Sequence, residues 1–455
     1  VEVTRSVEDA PWETYTQQMI RKPAEGIALV SLEQEYAQTI DGFGACFNEL
    51  GWDALQRVPS AMRDSIMQDF FTEEGCNFTL CRMPIGANDY ARNWYSHNDV
   101  PGDFAMEHFN VERDKTSLIP YIRMARSYMP GLRVWASPWC PPAWMKVNDH
   151  YACRPSTHND LSPAGAGKED NTQFITEPAY LAAYADYFVR FIHAYEAQGI
   201  PVYAVHVQNE PNSCQVFPSC IWTAEDLAVF IGDYLGPAFD SAKLETEIWL
   251  GTIERPSVKK VDTVLNHSAA GPYIRGVGFQ WAGREAIPGV HRKYPGMPLM
   301  QTESECGNGS NDWEAAEYTW SLIRHYMENG ANSYLYWNMI LDETGKSRWG
   351  WKQNSLLTVD METGDVTRNP EYYLFRHLTH YVKPGARRLV TPPTAGTSLF
   401  FENPGGERVM LLVNSTGEPV QKQYRARENR YLVVTLPPHS FQTLVLPPSE
   451  PSEAS

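Results

Sequence analysis

Two stretches of the chain end an apolar run on a carboxylate. Val205-His206-Val207-Gln208-Asn209-Glu210-Pro211 reads as a buried strand that ends on an amide and an acid and is stopped by a proline, which cannot continue a ladder. Pro298-Leu299-Met300-Gln301-Thr302-Glu303-Ser304-Glu305 has the same build and passes into Cys306, Gly307 and a polar loop. Two carboxyls in different surroundings are what hydrolysis of an acetal needs. One gives a proton to the leaving oxygen, and the other sets negative charge against an oxocarbenium-like centre. Glu210 is expected to be the acid/base and Glu303 the nucleophile. A separation of about 5 to 5.5 Å would retain anomeric configuration, and one of roughly 6.5 Å or more would invert it.

Other side chains have a functional and a plain reading. Trp139 and Trp337 end strands and could wall a sugar site, although large aromatics are more often core. Arg82 is either a ligand contact or the structural ion-pair partner of a rim carboxylate, and Asp89 either binds hydroxyls or makes a turn. His206 is expected to be a satisfied core histidine, and His377 and His380 to lie on a helix surface. Cys306 is near Glu303, but no histidine is arranged to activate a thiol. G-x-S-x-G, G-x-x-x-x-G-K-[ST] and H-E-x-x-H are absent, so serine hydrolase, nucleotide and zinc readings lack support, and no cofactor or metal is expected.

The formal charge of -17 argues against nucleic acid or an anionic membrane as partner, whereas a neutral carbohydrate remains open. No run approaches the roughly 20 apolar residues of a membrane span. No N-terminal stretch reads as a signal peptide, and the compartment is left open between secreted and cytoplasmic. Eight cysteines are too sparse for a disulfide scaffold, although Cys214 and Cys220 could close a small loop. Oligomeric state is not legible.

The elements that must position the two acids alternate. Strands are expected near residues 43, 79, 134, 205, 249, 277, 300 and 335, with helices between them, including one over residues 53–72 and an amphipathic one through Leu181, Tyr184, Phe188, Phe191 and Tyr195 that Gly199 ends. This order predicts an α/β fold, a (β/α)8 barrel, with both acids on the catalytic rim at the C-terminal ends of strands four and seven. The expected domains are 1–40, N-terminal strands joining a side domain; 41–383, the barrel; 384–447, an antiparallel β-sandwich side domain; and 448–455, a disordered tail.

The motifs QNEP around Glu210, RMPIGANDY at 82–90, ASPWCPPAWMK at 136–146, QTESECG at 301–307 and YLYWN at 334–338 together resemble glycoside hydrolase family 30. The resemblance implies a retaining double displacement without metal or organic cofactor. It also implies that Arg82, Asp89, Trp139, Asn209 and Trp337 line the subsite of the non-reducing sugar, with Asn209 on the 2-hydroxyl. After the sixth strand the glucosylceramidases of the family carry His-Trp-Tyr where this chain has Gln280-Trp281-Ala282, so Gln280 is a substrate-site candidate whose contacts differ. The substrate expected is a β-glucoside. The alternatives are a β-1,6-glucan or a β-xyloside and, in another class, a non-catalytic carbohydrate-binding barrel.

Overall fold

The computed structural model describes residues 1–32 and 34–448. Eight short β runs, Gly42–Cys46, Leu80–Ile85, Arg133–Pro138, Val202–His206, Glu247–Ile253, Ile274–Gln280, Leu299–Glu303 and Ser333–Asn338, pair in parallel and close into a barrel. They alternate with helices that bury an apolar face against the outside of the barrel. The clearest of these, Pro178–Ala197, starts on a proline at a position where no N–H is needed, and Gly199 follows it at φ +79°, the left-handed turn that ends it. Inside the barrel, Leu80, Trp135, Ala204, Trp249, Met300 and Leu335 form one apolar layer.

Above that layer the strands must come close, and side-chain volume is rationed. His206 is fully buried and lies between the indoles of Trp135 and Trp249, with centroids 4.0 and 5.1 Å away. The ring fits because its neighbours are glycines. A Cβ on Gly278 would lie 2.6 Å from His206 Cε1 and from the Thr302 methyl. The histidine is core, as expected, but it is not satisfied, since among the described residues neither ring nitrogen has a hydrogen-bond partner. Burial, with Arg82 nearby, holds its pKa well below the usual range and keeps it neutral.

The side domain joins both ends of the chain. A seven-stranded sheet includes Glu2–Val7, Ala10–Thr16, Arg408–Asn414 and Ser440–Leu446, and a three-stranded sheet holds Leu29–Ser31, Val420–Arg427 and Arg430–Leu436. Pairing is antiparallel except between Leu29–Ser31 and Val420–Arg427. Val3, Leu389, Phe400, Met410, Tyr424, Leu432 and Leu444 fill the core of this region.

Several expectations need correction. The helix over residues 53–72 is two, Glu49–Arg57 and Ser60–Phe71, because Pro59 forces Val58 into an extended conformation. Val420–Arg427 is a strand that its run of polar residues concealed. His377 is buried, not on a helix surface. The helix Pro370–Thr379 packs on the side-domain sheet, and the ring contacts Ser6 Oγ at 2.7 Å and Thr443 Oγ1 at 2.8 Å. Cys214 and Cys220 do not pair; all eight cysteines are free, and Cys214 Sγ donates to the Cys153 carbonyl at 3.0 Å. The expected tail lies, from residue 449 on, outside the described residues.

Gly278→Ala is expected to lower stability by about 1–3 kcal/mol, the usual cost of overpacking. Urea denaturation of both proteins checks this, and an unchanged midpoint would show that the barrel interior has room to spare.

Candidate active site

The fourth strand ends at His206, four residues before the acid it was expected to carry. The difference has a physical reason. In a continuing strand Asn209 and Glu210 would point to opposite faces. Here the backbone leaves the barrel ladder but is pinned to its neighbours. Gln208 N donates to Gly251 O at 3.0 Å, Asn209 N to Pro138 O at 2.8 Å and Glu210 N to Thr252 O at 3.2 Å. Glu210 then turns left-handed, with φ +49°. The turn lets two consecutive side chains share one cavity. Glu303, by contrast, is the last residue of its strand.

The cavity, of about 480 Å³, opens at the C-terminal ends of the strands and is lined by Asp89, Trp139, Asn209, Glu210 and Glu303 among others. The other three candidates, Arg82, Gln280 and Trp337, are fully buried and stand behind its wall. Trp337 stacks on Trp139 with centroids 5.5 Å apart, so it supports the ring that faces the cavity. Arg82 donates through Nη1 to Glu303 at 2.8 Å, through Nη2 to Asn209 Oδ1 at 2.7 Å and through Nε to Ser137 Oγ at 3.0 Å. Its guanidinium also lies 4.4 to 5.6 Å from the ring centroids of Trp139, Trp135 and Trp337.

Gln280 joins the two acids. Its Oε1 accepts from Thr302 Oγ1 at 2.8 Å and Arg82 Nη1 at 3.4 Å, which fixes which end of the amide is nitrogen. Nε2 then lies 2.9 Å from Glu210 Oε1 and 3.2 Å from Glu303 Oε2. One oxygen of each carboxyl is therefore held against the same amide nitrogen. Asn209 Oδ1 is occupied by Arg82 and by Thr252 Oγ1 at 3.1 Å, so its amide nitrogen is the group left for a ligand.

Burial pushes the carboxyls of Asp89, Glu303 and Glu210 up. Asp89 is raised to about 7, chiefly by burial with Glu210 adding, and its Oδ1 has no partner among the described residues. Burial raises Glu303 as well, with Glu210 and Asp89 adding and Arg82 opposing. Burial raises Glu210, opposed first by the Gln280 amide. Of these three carboxyls only Glu303 has a cation in direct contact among the described residues, and that cation, Arg82, opposes the effect of burial on it. Cys306, buried and facing the same acids, has its thiol pushed well up and stays neutral.

Sequence reasoning missed Glu254, Arg255, Trp281, Arg284, Trp351 and Gln353, which also line the cavity. Glu254 follows the fifth strand directly, and the strand-end rule that singled out Glu303 could have found it. Trp351 and Gln353 belong to a long connection after the eighth strand, where periodicity carries no signal.

Arg82→Met would leave a buried carboxylate uncompensated, at about 3–5 kcal/mol. Without the guanidinium, which opposes the effect of burial, the folded-state pKa of Glu303 rises further above its unfolded value. The variant therefore loses stability as pH rises through that window and regains it as pH falls. Thermal melts at pH 5 and pH 8 check this, and an equal deficit at both would rule the charge explanation out.

The family model described as the Glycosyl hydrolase family 30 TIM-barrel domain matches residues 40–382. "Putative glucosylceramidase 1" of Caenorhabditis elegans is 30% identical over 445 residues, covering 91% of this chain and 82% of the relative. "Endo-1,6-beta-D-glucanase" of Neurospora crassa is 27% identical over 438 residues, covering 90% and 86%. Among solved structures, SrfJ from Salmonella typhimurium and the endo-beta1,6-glucanase BT3312 superimpose with TM-scores of 0.86 and 0.82, each at 24% identity and over 98% of this chain and 99% of the other, which shows a shared fold. The chain is a glycoside hydrolase, and it belongs to glycosyl hydrolase family 30.

Proposed function

We propose that the enzyme hydrolyses β-glucosides with retention, Glu210 serving as acid/base and Glu303 as nucleophile. The observation that carries this reading is the Gln280 amide in contact with both carboxyls, which brings one oxygen of each close together, as a retaining pair requires. The names of the relatives, glucosylceramidase and endo-1,6-beta-D-glucanase, both put a glucosyl group at the bond.

The chemistry follows from the charges. Glu303 attacks the anomeric carbon as the bond to the leaving oxygen breaks, and Glu210 gives that oxygen its proton. In the second half Glu210, now a carboxylate, takes a proton from water, the hydroxide oxygen bonds to the anomeric carbon, and Glu303 leaves. Arg82 favours the ionised form of Glu303 before attack. Once Glu303 is esterified, the same cation still acts on Glu210 and favours its charged form. Asn209 Nδ2 is available for the 2-hydroxyl and Asp89 Oδ1 for another hydroxyl of the same ring.

Glu303→Gln is expected to lower kcat on aryl β-glucosides by about 10³-fold or more, and proton NMR of the first product should show the β-anomer; an α-anomer would sink the mechanism. Because the acid works only while protonated and its pKa is raised, kcat/KM should fall as pH rises through a value above the ordinary glutamate range. That limb should flatten in Glu210→Ala on a dinitrophenyl glucoside, whose leaving group needs no proton, and azide should speed its turnover. An aryl β-glucoside and β-xyloside panel decides between sugars.

A further inference from the structure

The cavity has two sides. Asp89, Trp139 and Gln353 come from the segments after the second, third and eighth strands, and the segments after the fifth and sixth supply Glu254, Arg255, Trp281 and Arg284 opposite them. Glu210 lies on the segment stitched to the fifth strand. Its proton goes to the leaving oxygen, so the leaving group must extend toward that second side.

Glu254 is the unusual residue there. It is buried, and both of its oxygens face one donor, Asn212 N, at 3.2 and 3.4 Å. No Lys or Arg among the described residues pairs with it. Its neighbour Arg255 is bonded to Glu169 and to the Asn212 carbonyl, and Lys260 pairs with Asp170 at 2.7 Å. Burial and the adjacent Glu210 drive its pKa well above the usual carboxylate range. A carboxyl kept neutral is both a donor and an acceptor, the combination a hydroxyl takes. Beside it the indole of Trp281 is 36% exposed, on a residue turned left-handed at φ +48°. Arg284, paired with Glu305, completes a polar edge that an alkyl chain would have to desolvate.

We propose that this side is a leaving-group subsite for a sugar, in which Glu254 hydrogen-bonds a hydroxyl of the departing sugar and Trp281 supports its ring face. The inference rests on Glu210 being the proton donor to β-glucosides. It makes Glu254 a residue that sets specificity and assigns it no part in bond breaking.

The test compares kcat/KM on three substrates: a β-1,6-linked glucose disaccharide, a nitrophenyl β-glucoside and an octyl β-glucoside. The unaltered enzyme should prefer the disaccharide to the octyl glucoside. Glu254→Leu should lower the disaccharide-to-nitrophenyl ratio about 10- to 100-fold, Glu254→Gln should recover most of it, and Trp281→Ala should raise KM for the disaccharide more than for the other two. A ratio unmoved by Leu, a Gln variant as impaired as Leu, or preference for the octyl glucoside would each overturn the proposal. Trp281→Ala and Glu254→Gln keep the test decisive if the Leu variant does not fold. Failure of the unaltered enzyme on all three substrates would instead overturn the β-glucoside reading and this inference with it.

Discussion

A fully buried guanidinium in contact with a buried carboxylate is the constraint on which the rest of the site depends. Taking both charges out of water costs several kcal/mol per ion, and their attraction offsets that only with good geometry and with the remaining donors satisfied. Arg82 meets those terms. Its fork reaches Glu303, Asn209 and Ser137, and flat indoles occupy the space around it where an ammonium would leave gaps. In such a setting the cation fixes the ionisation order of its neighbours. Arg82 favours the charged form of Glu303, which it touches, whereas among the described residues no cation touches Glu210.

The barrel makes this arrangement affordable. Neighbouring parallel strands deliver their ends to one rim, so groups as far apart in sequence as Arg82 and Glu303 meet without a long loop. Gln280 then ties the segment after the fourth strand to the sixth and seventh strands through one amide. Each of these side chains is oriented by another that is itself buried, which limits motion at the reacting centre.

Much of this was legible from the residues. Apolar runs separated by helical periodicity revealed eight strands because a barrel strand buried on both faces has little polarity to conceal it. Glu210 and Glu303 stood out as acids at the ends of such runs. What could not be read was three-dimensional bookkeeping. The left-handed turn at Glu210 leaves no mark in composition, and the separation of Arg82, Gln280 and Trp337 from the cavity depends on side chains packed in front of them. Glu254 went unnoticed because the expectation of a strand near residue 249 does not say where it ends, whereas the strand Glu247–Ile253 runs directly into it. His377 was misplaced because a helix that seals a second domain buries the face that one domain alone would expose.

Beneath Arg82 the floor of the cavity continues as a column of flat groups, Trp135, His206 and Trp249, closed off by glycines. Such a floor has neither spare volume nor spare rotamers, so almost any substitution in it is felt throughout. The segments after the fifth and sixth strands carry no comparable stack. Divergence among enzymes built on this plan is therefore expected to concentrate in those segments, and directed evolution toward a new leaving group has its productive library there, with the floor held constant.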